Sequence, residues 1–344
     1  VLTLKDIAER VGVSPSTVSL VLNDQDGGRV RAESAQRIRA VAEEMGYVPN
    51  LVARGLKTRQ SQTFGVLADG VATIPFAGQM LAGAQEVAWE QGFLLMLIDT
   101  GANADLEGPA VRALLQRHIQ ALVIAAEFHR SVRLPVTPPR LPVVLLDGVP
   151  ADDPSGEERP VDAVVPDERG GAHAAVQHLV QAGHRRVGLL TVADDRFVAE
   201  GLRREGYLQA LREAGIDPDP SLVVAAASPD TVHGREPATA LLDRPDRPTA
   251  VFCFSDRLAM AAYQSAAELG LRVPEDVSVV GFDNQVAVAD ALLPGLTTVQ
   301  LPHREMGAWA AERAVQRVRS VSGPGERHLM PCPLVLRHSV APPR

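Results

Sequence analysis

Cysteine is almost missing from this chain. Cys253 and Cys332 are the only two in 344 residues and lie 79 positions apart. Neither a disulfide framework nor a metal or redox spacing can be built from them. Cys253 sits inside an apolar run and reads as a small buried hydrophobe. No apolar run reaches about 18 residues, so no membrane span is expected. The first residues show no basic-then-apolar secretory pattern, and a reduced cytoplasmic setting is the expectation. Neither G-x-G-x-x-G nor G-x-x-x-x-G-K-[ST] occurs, which removes the common phosphate-cradling loops. His173, His178 and His184 are spaced by five and six, so they do not stack on one helix face. No paired-carboxylate pattern stands in their place. No catalytic residue, cofactor or metal site is therefore expected, and a sugar hydrolase or kinase reading has nothing to stand on.

Charge of one sign dominates, but unevenly. The whole chain carries −8, with 42 acidic and 34 basic side chains. Residues 1–60 hold nine Lys/Arg and seven Asp/Glu, a net of +2; the remainder carries −10. A weakly basic head on an acidic body suits contact with a polyanion through one end only. So modest a head charge predicts that two copies are needed for useful affinity.

The head is rich in helix punctuation. Thr3 can cap a helix, and Asp6 completes a capping box. Leu4, Ile7, Ala8 and Val11 follow at helical spacing. Gly12 allows a turn. Ser14 then caps a second helix, with Pro15 at its first position, where a missing N–H costs nothing. Val18, Val21 and Leu22 form the inner face of that helix. Ser14, Pro15, Ser16, Thr17, Ser19 and Leu20 lie at or near the outer face, and Asn23 follows. A small polar face with few charges suits the major groove of DNA. Residues 32–45 read as a third helix, with Ala35, Ile38, Val41, Ala42 and Met45 on one side and Gly46 at its end.

Next comes Tyr47-Val48-Pro49-Asn50-Leu51-Val52-Ala53-Arg54-Gly55-Leu56-Lys57-Thr58. With Thr3-Leu4-x-Asp6-Ile7-Ala8 and Gly12-Val13-Ser14-x-x-Thr17-Val18-Ser19 before it, the chain resembles the lactose-repressor (LacI/GalR) family of bacterial transcription regulators. Similar stretches continue downstream. They are Gly183-His184-Arg185-Arg186-Val187-Gly188, Arg203-Arg204-Glu205-Gly206-Tyr207, Pro248-Thr249-Ala250-Val251, Val273-Pro274-Glu275-Asp276-Val277-Ser278 through Asp283, and Leu296-Thr297-Thr298-Val299. The resemblance covers essentially the whole chain.

From about residue 62 the pattern itself becomes α/β. Candidate strands are Thr63–Ala68, Leu94–Asp99, Ala121–Ala125 and Val143–Asp147, then Val187–Thr191, Leu222–Ala226, Ala250–Phe254 and Val277–Phe282. Helical stretches lie between them at Gly78–Gln91, Glu107–Gln116, Gly170–Ala182, Glu200–Ala214 and Asp256–Glu268. Short apolar strands separated by helices predict parallel sheets covered on both faces. Two such series predict two doubly wound lobes with ligand at the carboxyl ends of the strands. The resemblance implies the same architecture, that of type I periplasmic binding proteins, with three passages between lobes placed near 160, 290 and 322. The expected organisation is an all-α helix-turn-helix head over 1–48, a hinge helix and linker over 49–61, and an effector-binding and dimerisation body over 62–344.

The resemblance also assigns residues. Thr3, Ser14, Thr17, Ser19 and Asn23 are implied at DNA phosphates, contacts that orient without carrying sequence information. Pro15, Ser16 and Leu20 match the positions that read base edges. Pro15 cannot donate, and Leu20 can only touch a thymine methyl, so part of the specificity is left to DNA shape. The plain alternative for Leu20 is an inert surface leucine. Pro49–Lys57 resembles the hinge helix that forms on DNA and pairs across the dimer. There Asn50 caps, Ala53 allows close approach, Arg54 and Lys57 reach phosphates, and Leu56 wedges into the minor groove. The alternative is an ordinary linker. Gly55 weakens helicity by roughly 1 kcal/mol, which suits a segment that orders on docking.

Arg203 and Asp283 match the positions that hold an effector, and Phe76, Asp147, Ser255 and Asp256 align with the cleft. A turn carboxylate is the alternative for Asp283, and a helix cap for Asp256. Three departures stand out: Ser228-Pro229-Asp230 where an aromatic is frequent, Gly148, and Asp167-Glu168 where Asp-Asn is usual. They imply a pocket with fewer aromatic walls, larger or suited to a more polar ligand. The implied protein is a homodimeric repressor of a near-palindromic operator, nucleoid-associated when bound, with a carbohydrate effector. A nucleobase-like corepressor is the alternative, and a sugar-binding protein without regulatory role fits residues 62–344 alone. The segment Val340–Arg344 has no leucine heptads, which favours a dimer over a coiled-coil tetramer.

Overall fold

The computed structural model describes residues 2–47, 61–74, 77–151, 160–194, 197–320 and 323–344. The chain divides into two compact units, Val1–Ser61 and Gln62–Arg344.

The first unit is helical. It holds α1 (Leu4–Val11), α2 (Pro15–Leu22) and α3 (Ala32–Glu44). Asp6 accepts from both the backbone N–H of Thr3, at 2.7 Å, and its hydroxyl, at 2.8 Å. Gly12 closes α1 at φ +80°, a left-handed conformation that costs glycine nothing. The small core is Ile7, Ala8, Val18, Val21, Ala35, Ile38 and Ala42, the apolar faces expected of the three helices.

The second unit contains two six-stranded sheets. The first is built from β1 (Thr63–Ala68), β2 (Leu94–Asp99), β3 (Ala121–Val132), β4 (Val143–Pro150), β5 (Asp162–Pro166) and β11 (Arg327–Met330). Its order is β11-β5-β4-β3-β1-β2, and all pairings are parallel. The second has β6 (Val187–Val192), β7 (Val223–Ala226), β8 (Ala250–Cys253), β9 (Ser278–Asp283), β10 (Thr297–Gln300) and β12 (Leu334–Val335). Its order is β12-β10-β9-β8-β6-β7, with only β12 antiparallel.

Each sheet buries both faces. In β1, Phe64, Val66 and Ala68 join one core while Leu67 joins the other, the period of two that a strand imposes. Helices α4 (Gly78–Glu90) and α11 (His303–Arg319) supply Met80, Ala88, Met306, Ala310 and Ala314 to the first core. Helix α5 (Ala104–Leu115) supplies Ala110, Val111 and Leu114 to the second. The other sheet is covered by α6 (Glu168–Gln181) and α7 (Val198–Glu213) on one side and by α8 (Thr231–Leu242) and α9 (Asp256–Glu268) on the other. A short α10 (Val286–Ala289) follows β9.

Four strand and passage expectations need correction. Strand β3 runs on to Val132 through a register shift between Ala125 and Arg130. That extension carries Glu127, Phe128 and His129 through the register shift after Ala125, and pairing with β4 resumes at Arg130 opposite Gly148. The passages between lobes fall later than 160, 290 and 322. They lie between Pro166 and Glu168, Gln300 and His303, and Met330 and Leu334. The reason is that β5, β10 and β11 are only four or five residues long, and β11 is half exposed, so they carry weak apolar signals. Among the described residues no helix is long and apolar enough to cross a membrane.

Candidate functional site

The head presents the outer side of α2. Ser14, Pro15 and Ser16 are exposed; Thr17, Ser19 and Leu20 are half-buried. Ser14 caps the helix by accepting from the backbone N–H of Thr17 at 3.1 Å. Its hydroxyl also lies 2.7 Å from that of Ser16 and 2.8 Å from that of Thr17. Three hydroxyls are thereby gathered at a helix N-terminus, where the backbone dipole favours an anion such as a phosphate. Asn23 turns back on its own helix and donates to the Ser19 carbonyl at 2.7 Å. The expected contacts at Asn50, Ala53, Arg54, Leu56 and Lys57 lie outside the described residues, as does Phe76.

Ser14 caps α2 and is expected from the sequence at a DNA phosphate as well, and substitutions can test the two separately. Ser14→Ala is expected to lower the stability of the head by about 1 kcal/mol, the usual worth of an N-cap. Ser14→Asp keeps the cap but sets a carboxylate against the phosphates. Amide-exchange protection in α2 should fall in the first variant only, while operator affinity should fall in both.

The second site lies in the body, at the carboxyl ends of the two sheets. At its centre is Arg203 of α7, 4% exposed. Its Nε donates to Glu168 Oε2 at 2.7 Å. Its Nη1 donates to the Phe254 carbonyl and faces Asp283 Oδ1 at 3.5 Å. The guanidinium carbon lies 3.6 Å from the centre of the Phe282 ring and 4.4 Å from that of Phe254. A planar cation between two rings keeps its edge donors in one plane, which presents a fixed fork to whatever lies beside it.

Two further carboxyl groups belong to this region, one at a strand end and one inside a strand. Asp283 ends β9 at φ +106°, and Asp147 lies in β4 at φ +61°. Both are strained for non-glycine residues, a feature that concentrates at ligand sites. Asp283 accepts from Gln285 Nε2 at 2.9 Å. Burial pushes its pKa up to about 6, against the pull of Arg203. Asp147 is 3% exposed, and its Oδ1 has no hydrogen-bond partner. Burial, reinforced by Glu168, holds its carboxyl well above the usual range. On the first lobe Asp69 is closed off by Arg130 and by the N–H of Glu127.

Arg203, Asp147 and Asp283 are thus brought together, but Ser255 and Asp256 are not offered to a ligand. Ser255 caps α9 through the N–H of Leu258 at 3.2 Å and donates to the Pro229 carbonyl at 3.0 Å. Asp256 is fully buried; it accepts from the Gln285 N–H at 2.6 Å and from the Thr298 hydroxyl. It clamps the loop after Asp283 to β10, which is structural work. The expectation of few aromatic walls is also corrected. Phe128 of the first lobe packs on Phe197 of the second at 4.4 Å between ring centres, and Phe197 meets Phe254 edge-on at 5.8 Å. These rings bridge the lobes. Sequence reasoning missed Phe128 because β3 reads as ending before it, and missed Glu168 as the partner of Arg203. The unusual glutamate after Asp167 was the available signal. Behind Glu168 a cavity of about 380 Å³ is bounded by His129 and Arg327 from one lobe and His173 from the other. Burial lowers the His129 pKa to about 4, so its ring is neutral.

Comparison with known proteins follows the same division. Residues 3–50 match the family described as bacterial regulatory proteins, lacI family, and residues 176–340 match a periplasmic binding protein-like domain. The chain is 33% identical to the HTH-type transcriptional regulator DegA of Bacillus subtilis (strain 168), over 99% of this chain and 98% of that protein. It is 32% identical to the ribose operon repressor of Haemophilus influenzae, over 98% of each. Among solved structures, a lac repressor dimer bound to operator and the anti-inducer ONPF superposes with a TM-score of 0.77 at 25% identity, covering 99% of both chains.

Proposed function

The chain belongs to the LacI family of bacterial regulatory proteins and is a DNA-binding transcriptional regulator, and we propose that a carbohydrate effector, held between its lobes by Arg203, Asp147 and Asp283, sets its operator affinity. The observation that carries this reading is the fixed Arg203 guanidinium fork facing the buried Asp283 at a strand end, with a second buried carboxyl, Asp147, inside β4. Adjacent hydroxyls donate to carboxylates and accept from guanidinium N–H groups, and the Phe rings give the sugar's apolar face a surface. The name of the ribose operon repressor supports the same class of effector.

The proposed protein is a homodimer in the cytoplasm that reads a near-palindromic operator with residues 1–48. Two-fold symmetry of the protein calls for two-fold symmetry of the site. Residues 49–61 act as the hinge. Effector binding replaces the Phe128–Phe197 contact with contacts of its own and alters lobe closure. Whatever factor the effector applies to operator affinity, the operator applies to effector affinity.

The test is selection of bound duplexes from a random library with the full chain, followed by titration of the selected duplex with sugars. An asymmetric half-site, or a symmetric site whose affinity no sugar changes, would contradict the reading. Leu56→Ala should weaken binding to the selected duplex by at least roughly tenfold, since two wedge side chains are lost per dimer. Unchanged affinity would remove the wedge role.

The pH dependence of effector binding has a definite sign. The folded pKa of Asp283, about 6, stands above its ordinary value of 3.8. Its contribution to stability is therefore present below that ordinary value and is lost as pH rises through about 6. A hydroxyl donor binds the ionised form, so effector affinity should rise by roughly tenfold between about pH 5 and about pH 7. Isothermal titration across this range checks it, and Asp283→Asn should flatten the profile.

A further inference from the structure

We infer that the cavity behind Glu168 is a second small-molecule site, built for a phosphate ester of a small metabolite. It goes beyond the carbohydrate reading above and does not rest on it.

The cavity has a volume of about 380 Å³ and walls from both lobes. His129, Arg327 and Leu329 come from the first lobe, and Arg169, His173 and Glu205 from α6 and α7 of the second. Small-molecule sites occupy about 300–1,000 Å³, so it is large enough. None of Arg203, Asp147 and Asp283 lines it. Its floor is firm. Gly206 of α7 lies against the backbone of α6, and a Cβ there would meet the Arg169 carbonyl oxygen.

His129 is the observation that points to a ligand. It lines the cavity, is 1% exposed, and neither ring nitrogen has a hydrogen-bond partner among the described residues. Such a buried group is costly, and natural interiors leave few of them. A neutral imidazole donates from one nitrogen and accepts at the other. The N-terminus of α6 lies on the same cavity, through Glu168, Arg169 and Gly170. Asp167 takes the N–H of Gly170 with its side chain and that of Gly171 with its carbonyl. The N–H groups of Glu168 and Arg169 are left for a ligand, where the helix dipole favours an anion.

The uncommitted charge around the cavity is positive. Arg169 and Arg327 are exposed and form no ion pair among the described residues. Glu168 is held by Arg203, Asp167 is occupied as the cap, and His173 is turned to Glu213 at 2.7 Å. Glu205 is the one lining carboxylate left unengaged among the described residues. A phosphate ester answers this set, because it brings three acceptor oxygens and a charge of about −1.5 to −2. Guanidinium forks, an imidazole N–H and backbone N–H groups all donate to such oxygens. A carboxylate brings less charge against the opposition of Glu205. Leu202, Leu329 and Pro166 offer the remainder of the ligand an apolar wall. A ligand that touches both lobes favours one angle between them, so the site can bias lobe closure.

The experiment is isothermal titration of the full chain with glycerol 3-phosphate, ribose 5-phosphate and glucose 6-phosphate. Glycerol, ribose and glucose are the counterparts without phosphate, and inorganic phosphate and gluconate are the competing anions. At least one ester should bind about tenfold or more tightly than its counterpart and than either anion. Arg169→Gln and Arg327→Gln should each weaken that ester by about tenfold or more. Both side chains are exposed, so operator binding of the unliganded variants should be unchanged, as evidence of folding. His129→Phe should weaken the ester too, without lowering the denaturation midpoint, because it removes an unpartnered buried polar ring. Esters that bind no better than their counterparts, or whose binding both arginine variants leave unchanged, overturn the inference. Inorganic phosphate or gluconate binding as tightly as every ester overturns it as well. The response of operator affinity to neutral sugars is measured separately, so either reading can fail alone.

Discussion

Arg203→Met should destabilise the body by about 3–5 kcal/mol, the usual cost of removing one partner from a buried ion pair. Methionine fills much the same volume between Phe254 and Phe282, so the loss is electrostatic and not a cavity. What remains is Glu168, 2% exposed, and Asp283, 8% exposed, both without their cation. The Phe254 carbonyl also loses its donor. The double variant Arg203→Met with Glu168→Gln should recover a large part of the stability, because one uncompensated charge is gone. Neither variant should answer any effector. Denaturant midpoints of the full chain measure the first effect, and operator release measures the second. A single variant within 1 kcal/mol of the parent, on the order of a surface pair, would mean that the guanidinium does not hold the cleft together.

This arrangement shows why the site was only partly readable from residue order. Arg203 and Asp283 stand in recognisable runs, and Asp283 ends a strongly apolar strand. Asp147 was readable only from its place in the resemblance, and β4 runs three residues past it. The partner choices were not readable. Whether Asp256 meets a ligand or clamps a loop depends on a hydroxyl 42 positions away, at Thr298. Whether the pocket has aromatic walls depends on Phe128 and Phe197, which lie on different lobes and meet only after the chain has passed between them. Such contacts are set by packing, and packing leaves no local period.

The fold follows the same rule. The bounds of β1, β2 and α9 agree with the sequence reading because each is an apolar or amphipathic run between clear breakers. Strand β3 is understated because polar Glu127, His129, Arg130 and Ser131 interrupt the apolar run after Ala126. The helix α11 has no counterpart in the sequence reading at all. Its 17 residues include many charges, and its buried face is largely Gly307, Ala310, Ala311 and Ala314. Small residues bury well but produce almost no apolar contrast.

That small face is what the tightest helix crossing in the first lobe requires. Gly307 of α11 lies against the backbone of α4 at Met80, and Gly83 of α4 lies against the backbone of α11 at Arg304. A Cβ at either glycine would sit inside the van der Waals envelope of the facing carbonyl oxygen. Because the obstacle is backbone, no rotamer change relieves it, and the helices must separate. Separation opens the core that holds Met80, Met306 and Ala310. Gly307→Val is therefore expected to cost about 3 kcal/mol or more, the upper part of the range for overpacked interiors. Gly201, in α7, has no atom within 4 Å of its added Cβ. Gly201→Ala should accordingly stabilise by about 0.5–1 kcal/mol through helix propensity alone. The opposite signs separate the close approach from any general effect of replacing glycine in a helix. Because α11 begins directly after the second passage between lobes, a Gly307→Val chain that still folds should also respond to effector at a shifted concentration. Denaturation midpoints that move the same way in both variants would show that the helix crossing is not under steric constraint.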